Sequence, residues 1–290
     1  MPPFARDLPR LALIVGAQKA GTTSLFAHLA RHPEIAPARI KEPFYFTQPD
    51  VRACGLDWYL GLFDGLAPGR VALEASTEYA AHPHRGDAAR EISVAWPGEA
   101  RFVYLVRDPV ARVQSQVRHD LARGRPGLDK TGLTALQVDL SRYAHQLDRY
   151  RQAFPDNFPL VLSIDQLNRS PETVLPLVCR HLGIEPEVAF EGVDVRHNVG
   201  GRVSPLSPIW NAARRTPVLG PGLERALPPA LRARIRQRIV WRGRRGRAHL
   251  TPEEKRTLLQ AVDGDLVRLA REYGIDQAES WRACHRADTP

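Results

Sequence analysis

Lysine is scarce in this basic chain, because only 4 of its 41 basic residues are lysines and the others are arginines. The 290 residues carry a formal net charge of +9. Such a balance suits anionic ligands, including nucleotides, sulfated or phosphorylated glycans, nucleic acid and anionic lipid. No recognised nucleic-acid-binding motif accompanies the charge, so we expect no nucleic acid as a partner and keep a basic nucleic-acid-binding protein as an alternative.

Cysteines are few, and long apolar runs are missing. The three cysteines, Cys54, Cys179 and Cys284, are far apart, odd in number and outside any metal-ligand spacing. No run approaches the roughly 18 apolar residues of a membrane span, and no apolar signal core precedes the first predicted strand. The sequence therefore predicts neither a disulfide framework nor a membrane span, and we expect a cytoplasmic protein with reduced thiols.

Strand and helix patterns alternate along the chain. Apolar runs predict strands near 11–16, 71–74, 101–106 and 159–164. Amphipathic patterns predict helices near 21–31, 86–95, 109–123, 139–153, 171–182, 229–241 and 252–273. This alternation predicts an α/β fold with a central parallel sheet flanked by helices on both faces. Ligands in such sheets bind beyond the carboxyl ends of the strands.

The segment LALIVGAQKAGTTSLFAHLAR, residues 11–31, predicts an anion site at the first strand end. A buried strand runs into a short turn and a helix N-terminus, where backbone N–H groups and the helix dipole attract anions. The turn offers two glycines for close backbone approach, one cation and three hydroxyl donors: Gly16, Gly21, Lys19, Thr22, Thr23 and Ser24. In the nucleoside-triphosphatase pattern GxxxxGK[ST] the lysine follows the second glycine directly, so the cation is placed differently here.

The segment RFVYLVRDPVARVQSQVRHDLARG, residues 101–124, predicts a second cationic site at the same edge. Arg107 stands at a strand end, Asp108 can cap the next helix, and Ser115 lies two turns into that helix. An arginine fork and a hydroxyl form a good phosphate clamp. The structural alternative pairs Arg107 with a neighbouring carboxylate, and the alternative function is a small-molecule kinase that uses ATP and magnesium.

Together these two segments resemble the signature blocks of sulfotransferases that use 3′-phosphoadenosine 5′-phosphosulfate (PAPS). Further similar segments follow in order: IKEPFYF (40–46), GLDWYLGLF (55–63), LEASTEY (73–79), LSIDQL (162–167), RHNVGGR (196–202) and a C-terminal helix ending in Trp281. The most similar branch contains heparan-sulfate-type enzymes and bacterial carbohydrate or lipid sulfotransferases. The resemblance implies one domain with a P-loop-like sulfotransferase fold over 11–282, between an N-terminal extension (1–10) and a C-terminal tail (283–290).

The resemblance also implies how the nucleotide is held. In that family the first block holds the 5′-phosphosulfate, an arginine and a serine eight positions later hold the 3′-phosphate, and a flexible loop closes over the nucleotide. No metal takes part. The residues implied to contact PAPS are Gln18, Lys19, Ala20, Gly21, Thr22, Thr23, Ser24, Arg107, Ser115, Gly201 and Arg202.

Sulfuryl transfer also needs a base for the acceptor proton and a cation for the leaving phosphate. We expect Lys19 to stabilise the leaving phosphate. Glu42 aligns with the glutamate base of resembling enzymes, and the aromatic residues after Pro43 could raise its pKa toward neutrality. An ion pair with Lys41 on a solvated loop is the structural alternative. His119, one turn after Ser115, is the alternative or auxiliary base.

The acceptor is the least defined part of the prediction. Lys41, Glu74, Ser76 and Tyr79 are predicted to bind it, and structural capping at the strand end is the alternative for the last three. A hydroxyl or amine of a carbohydrate, glycolipid or other small molecule would fit. The basic segment 232–247 could contact a glycan or a membrane surface, although a helix with a solvated arginine face is the simpler interpretation.

Overall fold

The computed structural model describes residues 8–122, 133–186 and 249–287. Its five strands are β1 (Leu11–Gly16), β2 (Ile35–Pro37), β3 (Val71–Ala75), β4 (Ala100–Val106) and β5 (Leu160–Ser163). Its α-helices are α1 (Thr22–Leu29), α2 (Pro49–Arg52), α3 (Leu56–Leu60), α4 (Ala88–Ala95), α5 (Pro109–Ala122), α6 (Ala135–Asp139), α7 (Tyr143–Ala153), α8 (Ile164–Arg169), α9 (Pro171–Leu182), α10 (Pro252–Tyr273) and α11 (Gln277–Ala287). A 3₁₀ turn, Thr77–Ala80, follows β3.

The strands form one parallel sheet in the order β2-β3-β1-β4-β5. Every residue of β1 and β3 is buried, so both faces of the sheet centre are covered. The predicted α/β fold with a central parallel sheet is therefore confirmed. Because β1 lies between β3 and β4, the loops that leave these three strands meet at one edge of the sheet.

The structure departs from the sequence prediction mainly in short elements. The helix predicted near 139–153 corresponds to α7, which begins only at Tyr143, and the strand predicted to reach residue 164 ends at Ser163. The Ser163 side chain instead caps α8 through a reciprocal pair of bonds with Gln166. Five short elements (β2, α2, α3, α6 and α8) were not predicted, because a few residues carry too little periodicity. The helix predicted near 229–241 lies outside the described residues.

Helix α7 covers one face of the sheet, and a side chain of α10 bonds to its N-terminus. Its rings of Tyr143 and Tyr150 contact Tyr104 and Phe102 of β4. The Asp265 carboxylate of α10 accepts the first N–H groups of α7, from residues 144 and 145, at 3.0 and 2.9 Å. This bond from a distant helix supplies the cap that α7 lacks locally. No helix in the described ranges is long and apolar enough to cross a membrane.

Candidate active site

Two glycines shape the loop between β1 and α1. A Cβ on Gly16 would lie 2.7 Å from the Tyr104 ring and 2.9 Å from the Ala80 Cβ. Gly21 has φ +92°, and a Cβ there would lie 2.1 Å from the Ile164 Cδ1. Both positions therefore require glycine, the first for close packing and the second also for its left-handed backbone.

The loop ends at a helix start that suits an anion. The N-cap of α1 is Gly21, which has no side chain to cap the helix, and the first turn has no acidic residue. The Ala17 amide donates to the Leu105 carbonyl at 2.6 Å, which ties the loop to β4. Among the loop residues predicted to contact the nucleotide, two are buried, Ala20 and Thr22. The others are half-buried: Gln18, Lys19, Gly21, Thr23 and Ser24. Backbone amides, hydroxyls and one ammonium group form a donor set that fits a phosphate-like group.

Arg107 connects the two predicted anion sites. Its Nη1 donates to the Lys19 carbonyl oxygen at 3.1 Å. Its own carbonyl oxygen accepts from the Tyr143 hydroxyl at 2.7 Å. Asp108 Oδ1 accepts from the Ala111 amide at 2.7 Å, which confirms the predicted cap of α5. The guanidinium is thus bonded to the first loop rather than to the carboxylate next to it.

Ser115 and His119 both lie on α5, the helix that begins directly after Arg107 and Asp108. Both are half-buried, and the spacing of four residues places them on the same face. Their roles as phosphate ligand and auxiliary base stay predictions. Exposed Arg118 on the same helix offers a second cation of the same type for comparison.

Glu42 is held at the carboxyl end of β3. Its N–H donates to the Ala75 carbonyl at 3.0 Å. The Thr77 hydroxyl donates to Glu42 Oε1 at 2.9 Å, and the Lys41 ammonium lies 3.3 Å from the same oxygen. The Lys41 ion pair exists, but it is one of several contacts that fix this carboxylate in place.

The pKa of Glu42 lies below its ordinary value, so the expected rise toward neutrality is wrong. Burial does raise the pKa, but the Lys41 ammonium, the Thr77 hydroxyl and the charge of Lys19 stabilise the carboxylate and together outweigh burial. The aromatic residues after Pro43 therefore do not dominate the electrostatics. Glu42 is ionised at neutral pH, as a group that accepts a proton must be.

In the described ranges, left-handed backbone at residues other than glycine is confined to the two loops of the predicted site. Among the described residues other than glycine, a positive φ occurs at Lys19 (69°), Glu42 (61°) and Phe44 (59°). Such conformations persist only where surrounding contacts hold them, and they cluster at functional sites. These conformations therefore favour a functional role for the two loops, which carry Lys19 as the predicted leaving-group cation and Glu42 as the predicted base.

Glu74, Ser76 and Tyr79 lie in the interior, with exposures of 0%, 0% and 3%. Glu74 accepts from the Ser76 hydroxyl and from the Tyr59 hydroxyl, each at 2.5 Å. Ser76 and Tyr79 also accept N–H groups from the loop 42–46. This arrangement favours the structural alternative, in which these residues support the loop, and their contact with an acceptor stays a prediction.

Sequence reasoning missed Tyr59 and Thr77. Both occur inside segments that matched the family blocks, but no local pattern links Tyr59 to Glu74 or Thr77 to Glu42. Gly201, Arg202 and the basic segment 232–247 lie outside the described residues. Among the residues that are described, no three His, Cys, Asp or Glu side chains are grouped to hold a metal ion.

Comparison with known proteins agrees with this geometry. Residues 74–187, which include Arg107 and Ser115, match the model described as the sulfotransferase family. The sulfotransferase from Alicyclobacillus acidocaldarius has the same fold, with a TM-score of 0.64 and 21% identity, covering 95% of this chain and 99% of that chain. This likeness confirms the P-loop-like sulfotransferase fold.

Two curated relatives are similar over 63% of this chain. The heparan sulfate glucosamine 3-O-sulfotransferase 6 of Mus musculus is 30% identical over 197 residues, and the match covers 54% of it. The bifunctional heparan sulfate N-deacetylase/N-sulfotransferase 3 of Homo sapiens is 27% identical over 205 residues, and the match covers 23% of it. The chain thus spans about half of one relative and a quarter of the other. The match over residues 74–187, these relatives and the shared fold all indicate similarity to sulfotransferases.

Proposed function

We propose that this protein transfers a sulfuryl group from PAPS to a hydroxyl of a carbohydrate-type acceptor, with an amine as the alternative acceptor. The match of residues 74–187 to the sulfotransferase family supports the reaction class. Relatives named for 3-O-sulfation and for N-sulfation of heparan sulfate support a glycan acceptor. When bound, PAPS supplies the activated sulfuryl group, and the residues discussed next bind it and manage the charges and the proton.

The hydrogen bond from Arg107 to the Lys19 carbonyl carries the proposal. At 3.1 Å it joins the clamp predicted for a 3′-phosphate to the loop predicted for a 5′-phosphosulfate. A nucleotide with anionic groups on both sides of its ribose can engage two adjacent cationic sites at once. ATP concentrates its anionic groups in one chain, so this pair of sites favours PAPS over the kinase alternative.

Glu42 is proposed as the base. Its lowered pKa keeps it ionised at neutral pH, and its contacts with Thr77 and Lys41 fix its orientation. As the acceptor oxygen bonds to sulfur, its proton passes to Glu42 and the bond from sulfur to the leaving phosphate oxygen breaks. By analogy with phosphoryl transfer the transition state is loose, so positioning matters more than the strength of the base.

Lys19 is proposed to stabilise the leaving phosphate. Its left-handed backbone lies in the loop that leads to the start of α1, and its charge already acts on Glu42. An ammonium group and first-turn amides facing the same anion are the arrangement that stabilises a developing negative charge. Gln18, Thr22, Thr23 and Ser24 are proposed to complete this cradle.

Calorimetric titration in the presence of EDTA tests the nucleotide assignment. We expect adenosine 3′,5′-bisphosphate to bind at least about tenfold more tightly than AMP or ADP, because charge-assisted bonds to the 3′-phosphate contribute about 1.5–3 kcal/mol. Arg107→Ala should remove this preference, and Arg118→Ala on the same helix should keep it. Equal affinities of the wild type for the bisphosphate and AMP would contradict the clamp.

Transfer from radiolabelled PAPS to a glucosamine–glucuronic acid oligosaccharide tests the base. Glu42→Gln should lower turnover by about 10²–10⁴-fold and leave bisphosphate affinity unchanged. Asp57→Asn, at an exposed position, is the matched carboxylate control. Near-normal turnover of Glu42→Gln would move the base role elsewhere, and His119 would be tested next.

A further inference from the structure

Glu74 is a fully buried carboxylate for which the proposed reaction has no role. It lies near the carboxyl end of β3, in a strand whose other residues are apolar. Two hydroxyls donate to it at 2.5 Å, from Tyr59 to Oε2 and from Ser76 to Oε1. Burying an ionisable group costs free energy. A buried carboxylate that accepts two hydrogen bonds beside the loop of the proposed base is therefore a candidate for a functional role.

The groups that bind Glu74 also hold the loop that carries Glu42. The Ser76 hydroxyl, which donates to Glu74, accepts the Phe44 N–H at 3.3 Å. The Tyr59 ring stacks on Tyr45 with 4.3 Å between centroids. The carboxylate therefore fixes which way the Ser76 hydrogen points, and so presents a lone pair to the loop.

Contacts on either side extend this support. The Phe46 N–H donates to the Tyr79 hydroxyl at 3.3 Å. Glu42 itself is bonded to Ala75 and Thr77, the residues that follow Glu74 in the chain. Since Glu42 and Phe44 have left-handed backbones, the loop depends on such contacts to keep its conformation.

We propose that Glu74 is a positioning residue for catalysis, which orients the hydroxyls of Tyr59 and Ser76 and through them holds loop 42–46 and its base. The proposal rests on the assignment of Glu42 as the base. It adds a residue that acts through other side chains to control the geometry of the reacting carboxylate.

The charge state of Glu74 decides how well it performs this role. An ionised carboxylate accepts both hydroxyls, whereas a protonated one carries a hydrogen of its own and satisfies the two donors less well. Burial raises the pKa of Glu74 to about 7, although the Ser76, Tyr59 and Tyr79 hydroxyls lower it, and the charge of Glu42 raises it further. We therefore expect the supporting network to be complete only above about pH 7.

Other charged groups act on the Glu42 carboxylate. Lys41 and Lys19 favour the ionised form of Glu42, and Thr77 bonds to it. Because these groups keep Glu42 ionised well below neutral pH, an ionisation near pH 7 in the rate profile points to Glu74 rather than to Glu42. The same groups remain in place when Glu74 is substituted.

The test is the pH profile of kcat for transfer from PAPS to the oligosaccharide, measured for Glu74→Gln. We expect kcat at pH 8 to fall about tenfold or more, since small displacements of a reacting group have effects of this size. The increase of kcat through pH 7 should disappear, and bisphosphate affinity should stay unchanged. Glu78→Gln, on the adjacent 3₁₀ turn and paired with Arg85, should keep the wild-type profile.

Tyr59→Phe serves as the second variant, because it keeps the carboxylate and should fold even where Glu74→Gln does not. Loss of its hydrogen bond destabilises the ionised form, so the increase of kcat should move to higher pH. If Glu42→Gln is inactive but Tyr59→Phe or Glu74→Gln has the wild-type kcat and the wild-type pH profile, the positioning role of Glu74 is overturned and the assignment of Glu42 as the base stands. Turnover retained in Glu42→Gln would instead overturn the proposed base.

Discussion

Replacing Glu74 by glutamine should change how the stability of the protein depends on pH. Glu74 is 0% exposed, and burial raises its pKa to about 7 from an ordinary value of 4.5 despite the hydroxyls that bond to it. Glutamine has nearly the same size and cannot ionise. The substitution therefore isolates the ionisation of one buried group.

The magnitude follows from the two pKa values. They differ by about 2.5, and each pKa unit corresponds to about 1.36 kcal/mol, so the full effect is about 3 kcal/mol. Below pH 4.5 the carboxyl is protonated in the folded and the unfolded chain. As the pH rises toward 7 the unfolded chain loses its proton first, so the folded state loses stability. About 2.5 kcal/mol of this loss falls between pH 5 and pH 8.

The assay is urea unfolding of the wild type and Glu74→Gln at pH 5 and pH 8. Groups other than Glu74 titrate in both proteins, so their contributions cancel in the difference. The wild type should lose about 2.5 kcal/mol more than the variant over this interval. Equal losses in the two proteins would show that Glu74 is ionised in the fold throughout, and would refute the reasoning.

Further predictions concern other parts of the site. Gly21→Ala would place a Cβ 2.1 Å from Ile164 Cδ1 at φ +92°, so we expect a loss of about 1–3 kcal/mol in urea unfolding together with weaker bisphosphate binding; wild-type stability would contradict the close approach. Asp108→Ala removes the cap of α5 and should cost about 1 kcal/mol, with a smaller effect on bisphosphate affinity than Arg107→Ala. Arg112 is fully buried, and its Nη1 has no hydrogen-bond partner among the described residues. The free energy of unfolding of Arg112→Met should therefore lie within about 1 kcal/mol of the wild type, because methionine fills the space without a charge. Arg112→Ala leaves a cavity and should lose about 3 kcal/mol. Equal losses in both Arg112 variants would show that the charge itself is required.

Stability and catalysis make opposite demands on Glu74. Burial of its carboxyl group costs stability above about pH 5, where the unfolded chain ionises, whereas by our proposal the ionised carboxylate completes the support of Glu42 above about pH 7. Such a conflict is common at active sites, where a residue that weakens the fold is kept for function. The two sets of Glu74 measurements test the two sides of this conflict separately.

The long elements of the fold were predictable because their patterns are local. Apolar runs predicted β1, β3 and β4, and the glycine-flanked turn after β1 predicted an anion loop. The Asp-Pro pair predicted the start of α5, which Asp108 does cap. Short elements escaped prediction because their conformation depends on neighbours in space, as in α3, whose Tyr59 bonds to a carboxylate 15 residues further along the chain.

The amino-acid sequence by itself determined the parallel α/β fold, the sulfotransferase resemblance and the two cationic segments at one sheet edge, because each depends on residues close together in the chain. Only the tertiary structure decided that Arg107 reaches the Lys19 carbonyl, 88 residues away, and that Glu42 is surrounded by groups that lower its pKa. It also decided that Glu74 is fully buried and accepts the hydroxyls of Tyr59 and Ser76. Burial, pKa and hydrogen-bond partners are set by distances between separate segments, and those distances exist only after the chain has folded.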